Sequence, residues 1–179
     1  MGYRNREIET KLEVIGTPSL DKVAKSVDRI FGYKCTKTIV DRKKDVYWKT
    51  PKESKADFVR LRHLEDGRAH VTVKFADKGS NENRVEIDLV VDDPQQAYAL
   101  LAQVFGKPKG TIDKRYFVYF LEDEHTTVSV YRVMGDRTVY IEAEAKSLRR
   151  MGSIVRRLGK QLPWKLKKLN KSLYQIYLA

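Results

Sequence analysis

Residues 6–14 read Arg6-Glu7-Ile8-Glu9-Thr10-Lys11-Leu12-Glu13-Val14, with charged side chains at every second position and Ile8, Leu12 and Val14 between them. A period of two is the signature of a β-strand. Residues two apart on a strand point to the same face, so Glu7, Glu9 and Lys11 share one. That face is ionised and carries both signs. The rest of the chain can be read outward from this strand.

Pro18 and Ser19 open a helix with apolar positions Leu20, Val23, Val27, Ile30 and Phe31, and Gly32 closes it. Strand patterns follow at about 35–41, 45–50, 57–64, 69–76 and 83–91, with Asp66-Gly67 as a hairpin signal between two of them. Gly79-Ser80-Asn81 reads as a turn. Pro94 begins a second helix, with Ala97, Leu100, Leu101 and Val104 on its apolar face and Gly106 as its stop. Strands are predicted at about 111–121, 126–133 and 137–145. Two basic helices finish the chain, near 146–161 and 165–177, the first with Leu148, Met151, Val155, Leu158 and Leu162 as its apolar stripe. Antiparallel strands with inserted helices predict an α+β fold, and eight or so strands are enough to close a barrel.

The ionised face recurs along the chain. Arg60 and Arg62 share a face, as do Thr72 and Lys74, then Arg84, Glu86 and Asp88, then Glu142 and Glu144. One such pair is accounted for by a solvated sheet face with cross-strand ion pairs. Repeated like-charge pairs are poor choices for ladder stability, but they suit a cavity that holds a polyanion and a divalent cation together. Arginine matches phosphate oxygens with a planar fork and lysine adds a point charge. Hard cations such as Mg²⁺ or Mn²⁺ take carboxylate oxygens.

Glu7-Ile8-Glu9-Thr10-Lys11 resembles the ExExK signature of CYTH proteins, the triphosphate tunnel metalloenzymes. The resemblance continues in order along nearly the whole chain. It runs through Asp45-Val46-Tyr47-Trp48, Arg60-Leu61-Arg62, Val71-Thr72-Val73-Lys74, Arg84-Val85-Glu86-Ile87-Asp88 and Thr111-Ile112-Asp113-Lys114. It ends with Tyr140-Ile141-Glu142-Ala143-Glu144 and Lys171-Ser172-Leu173-Tyr174. It implies a tunnel of eight antiparallel strands in one domain spanning 1–179. It further implies triphosphate binding by Lys11, Arg60, Arg62, Lys74, Arg84 and Lys114, and metal binding by Glu7, Glu9, Glu142 and Glu144, with Glu86 a weaker candidate. Glu7, Glu9 and Lys11 are the expected catalytic group, with Mg²⁺ or Mn²⁺ as cofactor. Family activities include hydrolysis of tripolyphosphate, thiamine triphosphate or nucleoside triphosphates, RNA 5′-triphosphate removal and a class IV adenylyl cyclase reaction. Hydrolysis is the reading preferred here, because both glutamate pairs are intact. A cyclase and a binding module without catalysis are the alternatives.

The chain departs from the family pattern in three places. Lys114-Arg115-Tyr116 stands where K-x-R is usual, so alternation turns Arg115 away from Lys114's face. Lys49 stands where the second strand usually carries an acid. An aspartate usual about ten residues before the F-x-E-x-E glutamate is replaced by Arg132, with Tyr131 beside it. One hypothesis is that Arg132 restores the cation lost at Tyr116, which would add Arg132 to the triphosphate-binding set.

Composition sets the remaining expectations. The 179 residues are 41% hydrophobic and carry a formal charge of +12. Ten of the 36 basic residues fall between Lys146 and Lys171, where no acid occurs, leaving 26 against 24 acids elsewhere. The basic helical segment at about 146–179, with Arg149, Arg150, Arg156, Arg157 and Lys160, is read as either a solvated outer face or a surface for RNA or polyphosphate. In the second case Trp164 and Tyr174 would be available for stacking. The single Cys35 excludes an internal disulfide and favours a reducing compartment. His63, His70 and His125 lack metal-ligand spacing. No apolar run reaches membrane-spanning length and the first residues lack a signal-peptide core, so the expectation is a soluble, cytoplasmic protein without membrane contact.

Overall fold

The computed structural model describes residues 4–64, 66–75, 83–121 and 126–179, and the side chains of 8–64, 66–75, 85–121 and 126–179. The turn expected at Gly79-Ser80-Asn81 and the side chains of Glu7, Arg84 and His125 lie outside them. Among the described residues there are nine strands and four α-helices. The strands are β1 (Arg4–Val14), β2 (Cys35–Lys49), β3 (Ala56–His63), β4 (Ala69–Phe75), β5 (Asn83–Val91), β6 (Gly110–Leu121), β7 (Thr127–Val133), β8 (Val139–Ala145) and β9 (Leu166–Leu169). The helices are α1 (Leu20–Phe31), α2 (Pro94–Phe105), α3 (Leu148–Gln161) and α4 (Leu173–Tyr177). The strands form one antiparallel sheet in the order β5-β4-β3-β2-β6-β7-β8-β1-β9. This is the α+β class that the strand pattern predicts.

The chain divides into two compact units. The first comprises Met1–Arg6, Lys43–Asp113 and Lys171–Ala179; the second comprises Glu7–Arg42 and Lys114–Asn170. In the second unit Leu12 and Val14 of β1 pack with Val128, Val130, Ile141 and Ala143 of β7 and β8, and the partly buried Ile8 lies against them. α1 and α3 cover this apolar face with Val23, Val27, Ile30, Met151, Ile154 and Leu158. Ser19 caps α1 by accepting from the Lys22 N–H, and Ser147 caps α3 by accepting from Arg150 N–H. In the first unit Val46, Trp48, Val59, Leu61 and Ala69 form an apolar face covered by Ala97 and Leu101 of α2. Asp93 caps α2 ahead of Pro94, a favoured first helical residue. Gly106 ends it at φ 76, a conformation glycine adopts freely. Its carbonyl accepts from the Trp48 indole at 3.1 Å.

Several sequence expectations are corrected. The two strands expected at 35–41 and 45–50 are the single 15-residue β2. Nothing in Arg42-Lys43-Lys44 breaks a strand, and charge alone does not end one. The expected helix at 165–177 is β9 followed by α4, because Leu166–Leu169 pairs with β1 and helix formation restarts only at Ser172. Ser172 and Gln175 form a reciprocal capping box there. On α3, Ile154 is buried and Leu148 is 65% exposed, so the stripe is rotated from the predicted one. On α2, Leu100 and Val104 are exposed while Ala97 and Leu101 are buried.

Candidate functional site

The polar face of the second unit follows from strand register. β1 and β8 pair so that Glu9 lies opposite Glu144 and Lys11 opposite Glu142. β7 continues the row, with Thr127 opposite Glu144, Ser129 opposite Glu142 and Tyr131 opposite Tyr140. β6 adds Tyr116 opposite Tyr131, and Lys114 two residues away on the same face. Glu9, Glu142 and Glu144 each offer a carboxylate oxygen within 4.8 Å of the others. The Lys11 ammonium is 3.0 Å from Glu9 Oε1 and 3.0 Å from Glu142 Oε2. Burial alone would lower its pKa, but attraction to Glu142 and Glu9 outweighs burial and holds it above the usual lysine value.

Neutral donors fix the carboxylates. Tyr131 Oη donates to Glu142 Oε2 at 2.9 Å, and Thr127 Oγ1 donates to Glu144 Oε2 at 3.0 Å. The Tyr131 ring stacks on Tyr140 with centroids 5.5 Å apart, and the Lys114 ammonium lies 5.2 Å from its centroid. Three carboxylates gathered against their mutual repulsion, all oxygen donors and two of them oriented by hydroxyls, fit a hard divalent cation such as Mg²⁺ or Mn²⁺.

Arg132 does not join this row. Residues 127, 129 and 131 face the glutamates, so Arg132 sits on the alternate face with Val128 and Val130, opposite Arg115. Arg115 in turn reaches Asp21 of α1 at 3.3 Å. The expected replacement of a lost cation by Arg132 is therefore corrected: Tyr131 occupies the place facing the glutamates, and Tyr116 donates to Asp41 at 2.8 Å.

The first unit carries its own charged face. Asp45, which is 0% exposed, accepts from Arg62 Nε at 2.7 Å and from Arg62 Nη2 at 2.8 Å. Arg60 lies opposite Tyr47 on one side and Thr72 on the other, and its Nη2 donates to Thr72 Oγ1 at 2.9 Å. Thr72 donates onward to Asp88. Lys74 and Glu86, opposite one another, form an ion pair. The buried Nε of Arg60 has no hydrogen-bond partner among the described residues. A buried guanidinium N–H normally finds an acceptor, so this donor has hydrogen-bonding capacity to spare. Desolvation and the Arg62 charge oppose its ionisation, while Asp45 and Glu86 raise its pKa above the usual value. Lys49 lies opposite Phe58 and is exposed.

Asp45, Thr72, Asp88, Thr127 and Tyr131 were not among the residues assigned roles from sequence. Thr72 and Asp88 had a signal, each lying two residues from one that was, Lys74 and Glu86, and Asp45 opens the Asp45-Val46-Tyr47-Trp48 motif. Thr127 and Tyr131 gain their roles only through the carboxylates they reach across the ladder. Of the basic residues on α3, Arg157 is engaged structurally, donating to the Ile30 carbonyl at 2.7 Å and stacking on Phe31 and Tyr33. Arg149, Arg156 and Lys160 are exposed.

No protein-family model matches the chain, and no curated protein does. Solved structures do. The PH1012 protein of Pyrococcus horikoshii OT3 superposes with a TM-score of 0.72 at 22% identity, covering 96% of this chain and 98% of its own. HpAC1 of Hippeastrum, described as a proposed adenylyl cyclase with a dominant triphosphatase activity, gives 0.69 at 14% identity, covering 96% and 94%. A proposed adenylate cyclase of Vibrio parahaemolyticus gives 0.67 at 16% identity, covering 98% and 99%. The chain has the CYTH-type fold that its ordered motifs predicted. Among the described residues no helix is long and apolar enough to cross a membrane.

Proposed function

We propose that this protein is an enzyme that hydrolyses a triphosphate with the help of Mg²⁺ or Mn²⁺. The observation that carries the reading is the row formed by Glu9, Glu142 and Glu144 with Lys11 and Lys114 on the same sheet face. Glu9, Glu142 and Glu144 would hold the cation, which supplies charge neutralisation and orientation for phosphate oxygens. Glu7 joins this set by resemblance.

The chain's own residues do the rest. Lys11 and Lys114 supply positive charge to phosphate oxygens in the second unit. Arg60 is the corresponding donor of the first, with its unpartnered Nε, and Arg62, Lys74 and Arg84 are assigned to phosphate by resemblance. Thr127 and Tyr131 keep the carboxylates oriented. Catalysis of this kind is mostly positioning and electrostatic stabilisation of charge on the transferred phosphoryl group. Water attacks the terminal phosphorus, and the bond from that phosphorus to the bridging oxygen breaks. The diphosphate part of the substrate leaves, and the attacked group is released as orthophosphate with the water's proton passing to solvent. The likeness in fold to a protein described as having a dominant triphosphatase activity is in keeping with hydrolysis, and the likeness to a proposed adenylate cyclase keeps cyclisation as the alternative.

An RNA or polyphosphate contact is a further reading for the exposed Arg149, Arg156 and Lys160. Binding of RNA without a 5′-triphosphate, weakening steeply as salt rises, is its check. The enzyme reading is tested by phosphate release from tripolyphosphate with Mg²⁺ or Mn²⁺. Release is expected to stop with chelator and in the Glu9→Ala protein, and release unaffected by either contradicts it.

A further inference from the structure

Among the described residues, Glu9, Glu142 and Glu144 gather three carboxylates on the β1–β8 face, and one ammonium, that of Lys11, is close enough to pair with two of them. Lys11 Nζ lies 3.0 Å from oxygens of Glu9 and Glu142, and the residue is only 8% exposed. These are two of the three carboxylates whose oxygens come within 4.8 Å of one another. The ammonium therefore stands on the ground that a divalent cation needs. The two positive groups compete: a cation takes up the negative charge that holds Lys11 and repels it as a like charge. A lysine head is a compact charge on a flexible four-carbon stem, so it can turn away without any change in β1.

We propose that Lys11 is an internal counter-ion of the metal site, displaced from Glu9 and Glu142 when the cation binds and thereby delivered to the oxygens of the triphosphate. The inference rests on the triphosphate reading above and adds a coupling to it. Without a cation, Lys11 is neutralised by two carboxylates, and the phosphate-binding face lacks one of its charges. With a cation, that charge is released. Cation and triphosphate then strengthen each other's binding through one side chain, and linkage makes the effect equal in both directions. Glu144 keeps its hydroxyl donor, Thr127, throughout, so the exchange is confined to the Lys11 side of the row.

The direct test observes the Lys11 ammonium by nitrogen-15 NMR in the wild-type protein, assigned by its absence in Lys11→Arg. An ion-paired, buried ammonium gives a resolved signal. The expected result is that saturating Mg²⁺ shifts and broadens this signal and that tripolyphosphate then sharpens it at a new position. An unchanged signal while calorimetry registers Mg²⁺ binding overturns the proposal and leaves the metal site standing. No Mg²⁺ binding by the wild type removes the metal reading itself, and the coupling with it. In a second arm, Lys11→Gln is expected to bind Mn²⁺ about tenfold tighter than wild type without tripolyphosphate. It is also expected to show a smaller gain when tripolyphosphate is added, after correction for Mn²⁺ bound in solution. Equal or weaker Mn²⁺ binding, with the gain intact, contradicts the displacement.

Discussion

Glu9 and Glu144 face each other directly across the β1–β8 ladder, two like charges at one rung, with Lys11 and Glu142 at the next but one. Like charges placed directly opposite destabilise a sheet, and opposite charges support it. A ladder selected for stability alone would not place Glu9 against Glu144, whereas a ladder that holds a cation has reason to.

Replacing Glu144 by Gln is therefore expected to have opposite effects with and without metal. It relieves repulsion worth roughly 0.2–1 kcal/mol, so the metal-free protein melts at the same or a slightly higher temperature. It also removes a ligand, so the rise in melting temperature on adding Mn²⁺ shrinks or vanishes. Calorimetry with and without Mn²⁺ checks both halves; a Mn²⁺-dependent rise equal to that of the wild type rules out Glu144 as a ligand.

Tyr131→Phe keeps the stack on Tyr140 and the contact with Lys114 but loses the hydroxyl that donates to Glu142. Loss of a group that orients a metal ligand commonly lowers metal affinity by about 10–100-fold. Titration with Mn²⁺ is expected to show such a loss without a change in the circular dichroism spectrum.

Arg60 and Arg132 separate a buried donor facing the charged residues from an arginine on the other face of its strand. Arg60→Ala is expected to weaken tripolyphosphate binding by more than about tenfold, since one charge-assisted hydrogen bond is worth roughly 1.5–3 kcal/mol. Arg132→Ala is expected to leave the affinity at the wild-type value. If calorimetry finds the Arg132 variant as impaired as the Arg60 variant, the strand register described here does not govern the site.

Asp45 is fully buried against Arg62. Breaking a buried pair by removing one partner typically costs about 3–5 kcal/mol. Asp45→Asn should lower the urea midpoint accordingly, with the first unit most exposed to hydrogen exchange.

His70 stands opposite Arg62 on β3. Desolvation lowers its pKa below the usual 6.5, Arg62, Arg60 and Lys43 lower it further, and Asp88 alone pulls the other way. The unfolded chain thus takes up this proton at higher pH than the folded one. The contribution to stability is full above about pH 6.5 and is lost as pH falls through the lower folded value. His70→Gln should flatten that part of the stability profile below pH 6.5, measured by urea unfolding.

Much of this fold was legible because β1, β3 and β8 alternate so regularly that face, period and chemistry are read together. The misreadings came from pairing, which local pattern does not contain. Arg132 was placed by counting back from Glu142, but register is set by the turn through Gly135, at φ 86, which brings Tyr131 opposite Tyr140. Leu166–Leu169 looked helical beside its basic neighbours, and only the edge of β1 makes it a strand. Likewise, the helix faces of α2 and α3 were legible to within one residue of rotation. Leu100 was assigned inward beside Leu101, and the sheet beneath chose Leu101. In the candidate site the charged residues were readable from motif order. The hydroxyls of Thr127 and Tyr131 were not, since their role exists only across the β7–β8 ladder.

The most direct test of the central claim is to incubate the protein with tripolyphosphate and with ATP, with Mg²⁺, with Mn²⁺ and with chelator, and to resolve every product by ion chromatography. The account predicts orthophosphate that depends on the metal and disappears in Glu9→Ala. Cyclic AMP with pyrophosphate from ATP, or tight binding of both substrates with no product under any condition, contradicts it.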